Sequence, residues 1–221
     1  MKRITITFCV AAFLFACNNE DKKAVDNKTD EAKVASANTT TPSNPNEWVA
    51  VDSATAEKAW MAYMTPGEAH KMLAEADGEW TDEITMWMEE GGQPMTSKGV
   101  ANNKMILGGR YQISNHKGSF MGQSFEGMSM VAYDNAKKKY ISTWVDNMGT
   151  GVMNMEGEWN EAAKAIEFKG KMICPANGKE CDVRETYQII DKDTHLMTMY
   201  GPDLKTGKEY KNMQIKFTRK A

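Results

Sequence analysis

The sequence predicts an all-β fold: an up-and-down antiparallel barrel of about ten strands, preceded by a short helical segment. Three observations carry this reading. From Gly78 onward, runs of about eight to twelve residues alternate polar and apolar side chains. Turn signals separate the runs at even spacing, and no long helical pattern interrupts them. A sheet of this many strands leaves two open edges unless it closes on itself, and closure removes both.

The elements follow in order. Trp48 opens the folded part, and Ser53 to Met64 has Ala-rich helical spacing. Thr65-Pro66-Gly67-Glu68 reads as a capping box with Pro at the first helical position. A second helix follows over Glu68 to Ala76, with Gly78 to end it. Met61, Met64, Met72 and Leu73 give the segment an apolar side, as in a lid or plug packed on a larger body. Strands are expected near 79–88, 95–106, 110–117, 120–133, 139–146, 150–158, 165–173, 181–190, 195–200 and 209–219. Between them lie turns such as Glu90-Gly91-Gly92, Leu107-Gly108-Gly109, Asp134-Asn135, Asn177-Gly178 and Lys205-Thr206-Gly207.

The 221 residues are 41% hydrophobic and 26% charged, with net charge −3. That balance excludes a fully disordered chain, a collagen and a polytopic membrane protein. Mild acidity also argues against nucleic acid as a partner, which calls for a basic stripe.

The N-terminus carries an address. Lys2 and Arg3 precede an uncharged stretch from Ile4 to Phe15 that is too short to span a bilayer. It ends in Leu14-Phe15-Ala16-Cys17, which resembles the lipobox of bacterial lipoproteins. The resemblance implies that residues 1–16 are a signal peptide and that Cys17 is lipidated, and several acyl chains on one Cys make a stable anchor. The expected location is therefore the cell envelope, at the outer membrane, with the periplasmic or surface face left open. Residues 17–47 read as a disordered tether, 48–77 as the helical segment and 78–221 as the barrel. The acidic surface is repelled by anionic lipid, so the domain should hang from its anchor. Two further cysteines, Cys174 and Cys181, flank the turn residues Pro175, Asn177 and Gly178. In an oxidising envelope a disulfide is expected between them. Their spacing is longer than a redox C-x-x-C, and no second ligand pair lies nearby to make a metal site.

Gly78-Glu79-Trp80 on the first strand and Arg219 at the end of the last resemble the calycin superfamily. The resemblance implies that Trp80 packs under Arg219 at the closed end of the barrel, an indole face covered by a guanidinium. A longer ordered set is similar to a bacterial family known as domain of unknown function 1579. It comprises Leu107-Gly108-Gly109-Arg110-Tyr111, Phe120 to Gly127, Tyr133-Asp134-Asn135 and Thr143-Trp144-Val145-Asp146-Asn147-Met148-Gly149-Thr150-Gly151. This resemblance covers roughly residues 65–221. It implies a calycin-like barrel and brings no activity with it.

No catalytic motif stands out: there is no H-E-x-x-H, no G-x-S-x-G and no phosphate-binding loop. No cofactor or metal is expected. His70, His116 and His195 are scattered, and each reads first as structural, although a His at a barrel mouth is able to ligate haem iron. Methionine is the anomaly, with 18 in the chain. Four Met-x-Met pairs occur: Met86/Met88, Met128/Met130, Met153/Met155 and Met197/Met199. Residues i and i+2 of a strand share a face. With Trp80 and Arg219 inside, most pairs follow them in, either as a filled core or as an adaptable pocket wall for a small apolar ligand. Soft copper(I) binding by the thioethers is a weaker alternative, because the pairs sit on strands. Trp144 belongs to the same candidate wall, and Arg110, Asp134 and Asp146 are candidate polar anchors at its rim. Three readings remain: noncatalytic binding of a hydrophobic or amphipathic molecule, an enzyme using Arg110, Asp134 and Asp146, and a structural or adaptor lipoprotein with a filled barrel.

Overall fold

The computed structural model describes residues 47–221. The expected signal peptide, Cys17 and nearly all of the expected tether lie outside the described residues.

Two helices precede the sheet. α1 (Ser53–Met64) is capped by Asp52, whose side chain accepts a hydrogen bond from Thr55 N at 3.0 Å. It buries no residue, so Met61 and Met64 are exposed and do not form the expected packing face. α2 (Glu68–Ala74) starts at Gly67 and not at a Thr65–Glu68 box. Its first turn is closed by His70, whose Nδ1 accepts the Gly67 N–H at 3.0 Å, while the Thr65 hydroxyl turns back to Met61 O. Pro66 therefore stands outside the helix. His70 and Leu73 are the buried residues of α2, and it is this helix alone that acts as a plug.

Ten strands follow: β1 (Gly78–Met86), β2 (Met95–Ile106), β3 (Tyr111–Phe120), β4 (Gln123–Asp134), β5 (Lys139–Asp146), β6 (Met153–Asn160), β7 (Ala165–Ile173), β8 (Glu180–Asp191), β9 (Thr194–Pro202) and β10 (Glu209–Arg219). Each pairs antiparallel with its sequence neighbours, and β1 pairs with β10, so the sheet is a closed meander. The calycin-like barrel expected from sequence is present. Closure gives every strand two hydrogen-bonded neighbours and leaves no edge for another chain to extend.

Register decides which side chains enter the barrel. Trp80, Asp82, Ile84 and Met86 point inward on β1 and pair with Arg219, Phe217, Ile215 and Met213 of β10. Across β2 and β3 the inward set continues through Ala101 and Asn103 to Ser114 and His116. Apolar side chains from β5 to β8 and from β1, β2 and β10 form two packed clusters, one around Tyr140, Met155 and Phe168 and one around Trp80, Ile215 and Phe217. Leu73 belongs to the first and Ala76 to the second, so the plug joins both.

Candidate functional site

The closed end is a capped helix terminus. The last carbonyls of a helix lack partners within it, and at α2 the barrel supplies them. Gln112 Nε2 donates to Leu73 O at 2.5 Å, and Trp80 Nε1 and Asn103 Nδ2 donate to Ala76 O at 2.9 and 3.0 Å. Arg219 donates to Glu75 O and Asp77 O, both at 2.6 Å. Its guanidinium carbon lies 4.2 Å from the centre of the Trp80 ring, and Trp80 is 1% exposed. Positive charge is also favoured by the negative end of the helix dipole. Gly78, at φ +117, leaves the space Arg219 needs: a Cβ there would stand 3.3 Å from its Nη1. His195 stacks on Trp80 with ring centres 4.6 Å apart and shares a 2.7 Å hydrogen bond with the Tyr187 hydroxyl. Burial, and then the charge of Arg219, lower the His195 pKa to about 4, so the ring is neutral.

Arg110 and Asp134 also lie at this end, outside the barrel. Arg110 Nη2 donates to Met64 O at 2.7 Å. Asn135 Nδ2 reaches the carbonyls of Ala62, Tyr63 and Thr65. Asp134 accepts the turn N–H groups of Ala136 and Lys137. The Leu107–Tyr111 and Tyr133–Asn135 segments thus hold the link between α1 and α2.

Asp146 is at the opposite end. Its Oδ2 accepts from Trp144 Nε1 at 2.7 Å, and its Oδ1 accepts the N–H groups of Met148 and Gly149. The three residues therefore do not converge, which corrects the expectation of a shared rim or of an enzyme built from Arg110, Asp134 and Asp146. Asn147 bonds both ways to β4, donating to Ser124 O and accepting from Glu126 N. Trp144 itself leans into the barrel over Gly127, where a Cβ would meet its ring carbons at 2.5 Å. Phe125 stacks on it with ring centres 6.3 Å apart.

Above the plug, methionine takes over. Met95 pairs with Met86, Met86 with Met213, and Met213 with Met199, forming a belt across β2, β1, β10 and β9. Met153 pairs with Trp144, and Met155 and Met197 sit deeper. Three of the expected wall residues are elsewhere. Met128 and Met130 are 43% and 38% exposed on the outer face, because Phe125, Gly127 and Ser129 take the inward positions of β4. Met88 lies beyond the end of β1 and is 58% exposed. Met95 and Met213 complete the belt.

Polar groups enter this apolar lumen at few places. Asp82 is 3% exposed; its Oδ2 stands 3.5 Å from His116 Nδ1, and its Oδ1 has no partner. His116 Nε2 lies 3.0 Å from Ser114 Oγ. An acid, an imidazole and a hydroxyl in this sequence resemble a nucleophilic triad, but the hydrogen bonds run the wrong way. Asn103 donates through Nδ2 to Ala76 O, so its Oδ1 must accept, and Ser114 donates to it. Ser114 then accepts from His116 Nε2–H, and the imidazole has no lone pair free to deprotonate the hydroxyl.

Glu185 faces inward from β8. It is half-buried, as is Tyr187, the next inward residue of β8. Burial pushes the Glu185 carboxyl up to about 7. The Tyr187 hydroxyl is pushed up by burial and then by the charges of Glu185 and Asp82. Two further recesses, of about 370 and 590 Å³, flank the plug outside the lumen, with solvent-reaching Lys164, Lys192, Lys138 and Glu161 on their rims. Neither includes an unpartnered buried polar atom, so the lumen is the stronger site.

The expected disulfide is not formed. Cys174, buried in the β7–β8 loop, and Cys181, inward-facing on β8, are free thiols. Cys181 is diagonal to Cys174, since its direct partner across the strands is Met172. Burial raises the Cys181 thiol pKa. No group of three or more His, Cys, Asp or Glu side chains arranged to hold a metal occurs among the described residues.

One solved structure supports the fold. Rv2717c from M. tuberculosis is similar in structure at a TM-score of 0.54 and 11% identity, over 71% of this chain and all of that one. The S-type phycobiliprotein lyase CPES from Guillardia theta aligns at a TM-score of 0.49 and 7% identity, over 73% of this chain and 97% of that one. The first likeness concerns the fold alone, and the second is too distant to bear on it. No curated protein matches the chain. The family model that does match spans residues 65–219, from the end of α1 to the arginine that seals the barrel, and the chain belongs to the family described as Protein of unknown function (DUF1579).

Proposed function

We propose that this protein binds a small hydrophobic or amphipathic molecule in the upper half of its barrel, without catalysis, while anchored by lipid at Cys17 to the cell envelope. One observation carries the binding reading: Glu185 and Tyr187 face the lumen and stay only half-buried, beside a belt of Met86, Met95, Met199 and Met213. Thioether side chains adapt to ligands of different shape, so a Met-lined wall suits broad, modest affinity. The noncatalytic reading rests on two points already made: Arg110 and Asp134 are at the far end from Asp146, and Ser114 donates away from His116. The anchor rests on the Leu14-Phe15-Ala16-Cys17 sequence and the charged stretch that follows. The location that fits such an anchor is the outer membrane.

Native mass spectrometry of the purified protein, with a polarity-sensitive dye titrated into it, tests the binding reading. Co-purifying small molecules or saturable blue-shifted dye fluorescence are expected. Neither signal, at dye concentrations up to its solubility, would remove the reading. Cys17→Ala should release the protein from the membrane fraction, and continued retention would remove the anchor.

A further inference from the structure

We propose that the lumen selects amphiphilic cations: the apolar body lies on the methionine and aromatic wall, and a protonated amine or similar head is held between Asp82 and Glu185. This rests on the ligand-binding reading above and names the charge of the head group.

Two carboxyl groups face the lumen, and nothing in the protein answers them fully. Asp82 has one oxygen toward His116, while its Oδ1 is buried with no donor in reach. A buried acceptor left in this state is costly, and a donor that reaches it is correspondingly favoured. Glu185 is three strands further round the wall. Its cross-strand neighbours are Phe168 on β7 and Met199 on β9, and neither offers a donor. Tyr187, the next inward residue on β8, has its ring centre 6.0 Å from that of Phe217, the cross-strand partner of Asp82, so the two carboxyls face one region of the lumen.

Among the described residues the inner face has one permanently charged cation, and it is committed elsewhere. Arg219 lies at the closed end, stacked on Trp80, and donates to three backbone carbonyls, those of Glu75, Asp77 and Lys192. It does not turn upward without uncapping α2. His116 Nδ1 faces one oxygen of Asp82, and no cation among the described residues pairs with Glu185.

The complementary head group is therefore a donor with positive charge. An ammonium offers three N–H donors and no acceptor, and charge-assisted bonds to carboxylates are about twice as strong as neutral ones. A carboxylate or phosphate head would face two acids. The wall above suits the rest of such a molecule, since Trp144 and Phe125 present apolar ring surface, and the methionines accommodate an alkyl chain.

The test uses three probes of one chain length, octylamine, 1-octanol and octanoate, titrated into the purified protein and read by tryptophan fluorescence and calorimetry. Octylamine should bind about tenfold more tightly than octanol, with octanoate weakest. Glu185→Gln should bring octylamine down to the level of octanol and leave octanol unchanged. Asp82→Asn should act in the same direction, and Glu185→Gln, with less packing around it, keeps the test decisive if Asp82→Asn fails to fold. Equal affinity for all three probes would overturn the cation inference and leave the binding reading intact. An amine preference that survives both substitutions would assign it to the acidic outer surface and overturn the inference as well. No binding of any probe would take both readings down.

Discussion

At the closed end of the barrel, side chains from four strands answer the terminal carbonyls of α2, and the indole beneath them is 1% exposed. At the open end the wall is thioether and ring, Asp82 keeps an oxygen without a donor, and Glu185 and Tyr187 stay half-buried. The same sheet builds both ends, so the difference lies in what was placed inward. Large aromatic and amide side chains tie the lower half to the plug. Unbranched methionines line an upper half that has no plug. A barrel divided this way can hold a rigid foundation and an adaptable chamber without a domain boundary between them.

That division makes unequal demands on the two ends. The largest loss is expected from Trp80→Ala, about 3–5 kcal/mol as a buried large-to-small change, read by chemical denaturation. A loss below about 1 kcal/mol would mean that the closed end is not the foundation.

The next effect separates the ends by pH. His195 is held neutral in the folded state, with its pKa near 4 against an ordinary 6.5. Its contribution to stability is present above about pH 6.5 and is lost as pH falls toward 4. Glu185 has the opposite sign. Its folded pKa of about 7 lies above the ordinary 4.5, so its carboxyl favours folding at low pH and opposes it as pH rises through that window. Glu185→Gln should therefore gain stability relative to the parent as pH rises from about 4.5 to about 7. Denaturant midpoints at several pH values check this, and parallel profiles for the two proteins would refute it.

A smaller effect is expected in the belt. Replacing Met86 and Met213 together by Leu should change stability by no more than about 1.5 kcal/mol, because the volumes are similar, while altering dye uptake. Unchanged uptake would detach the belt from binding. The smallest effect concerns Arg110→Ala, which removes a bond to Met64 O and should cost about 1 kcal/mol, on the scale of a helix cap. Its readout is faster amide exchange in α1 with the barrel amides unchanged.

The strands were readable because period-two alternation and turn residues both survive in this chain. The helix start was displaced because Gly67 and His70 form a cap whose acceptor is an imidazole, not a Thr or Glu side chain. The methionine pairs were an incomplete signal. Spacing of two says that residues share a face but not which face, and β4 has apolar residues on both sides, with Phe125 and Val131 inside and Met128 and Met130 outside. The belt itself is a cross-strand feature that needs register. Asp82 and Glu185 were missed and His116 read first as structural, although a pointer existed. Asp82 stands between Trp80 and Ile84 at the same parity, and Glu185 stands between Val183 and Tyr187 in the same way. A charged residue in step with core residues on a strand is a better pointer to this lumen than the methionine count.

The seal between β1 and β10 has a kinetic consequence. Trp80 meets Arg219, and the β1–β10 ladder joins the first strand to the last. The ring cannot shut until β10 is available. Contacts of this sequence separation slow folding, because loop closure precedes any reward. A partly made chain presents β1 and its latest strand as open edges, and such species are prone to aggregate. Closure is therefore a late event, so a chain clipped to lack residues 209–221 should remain an open sheet, sensitive to protease along its whole length.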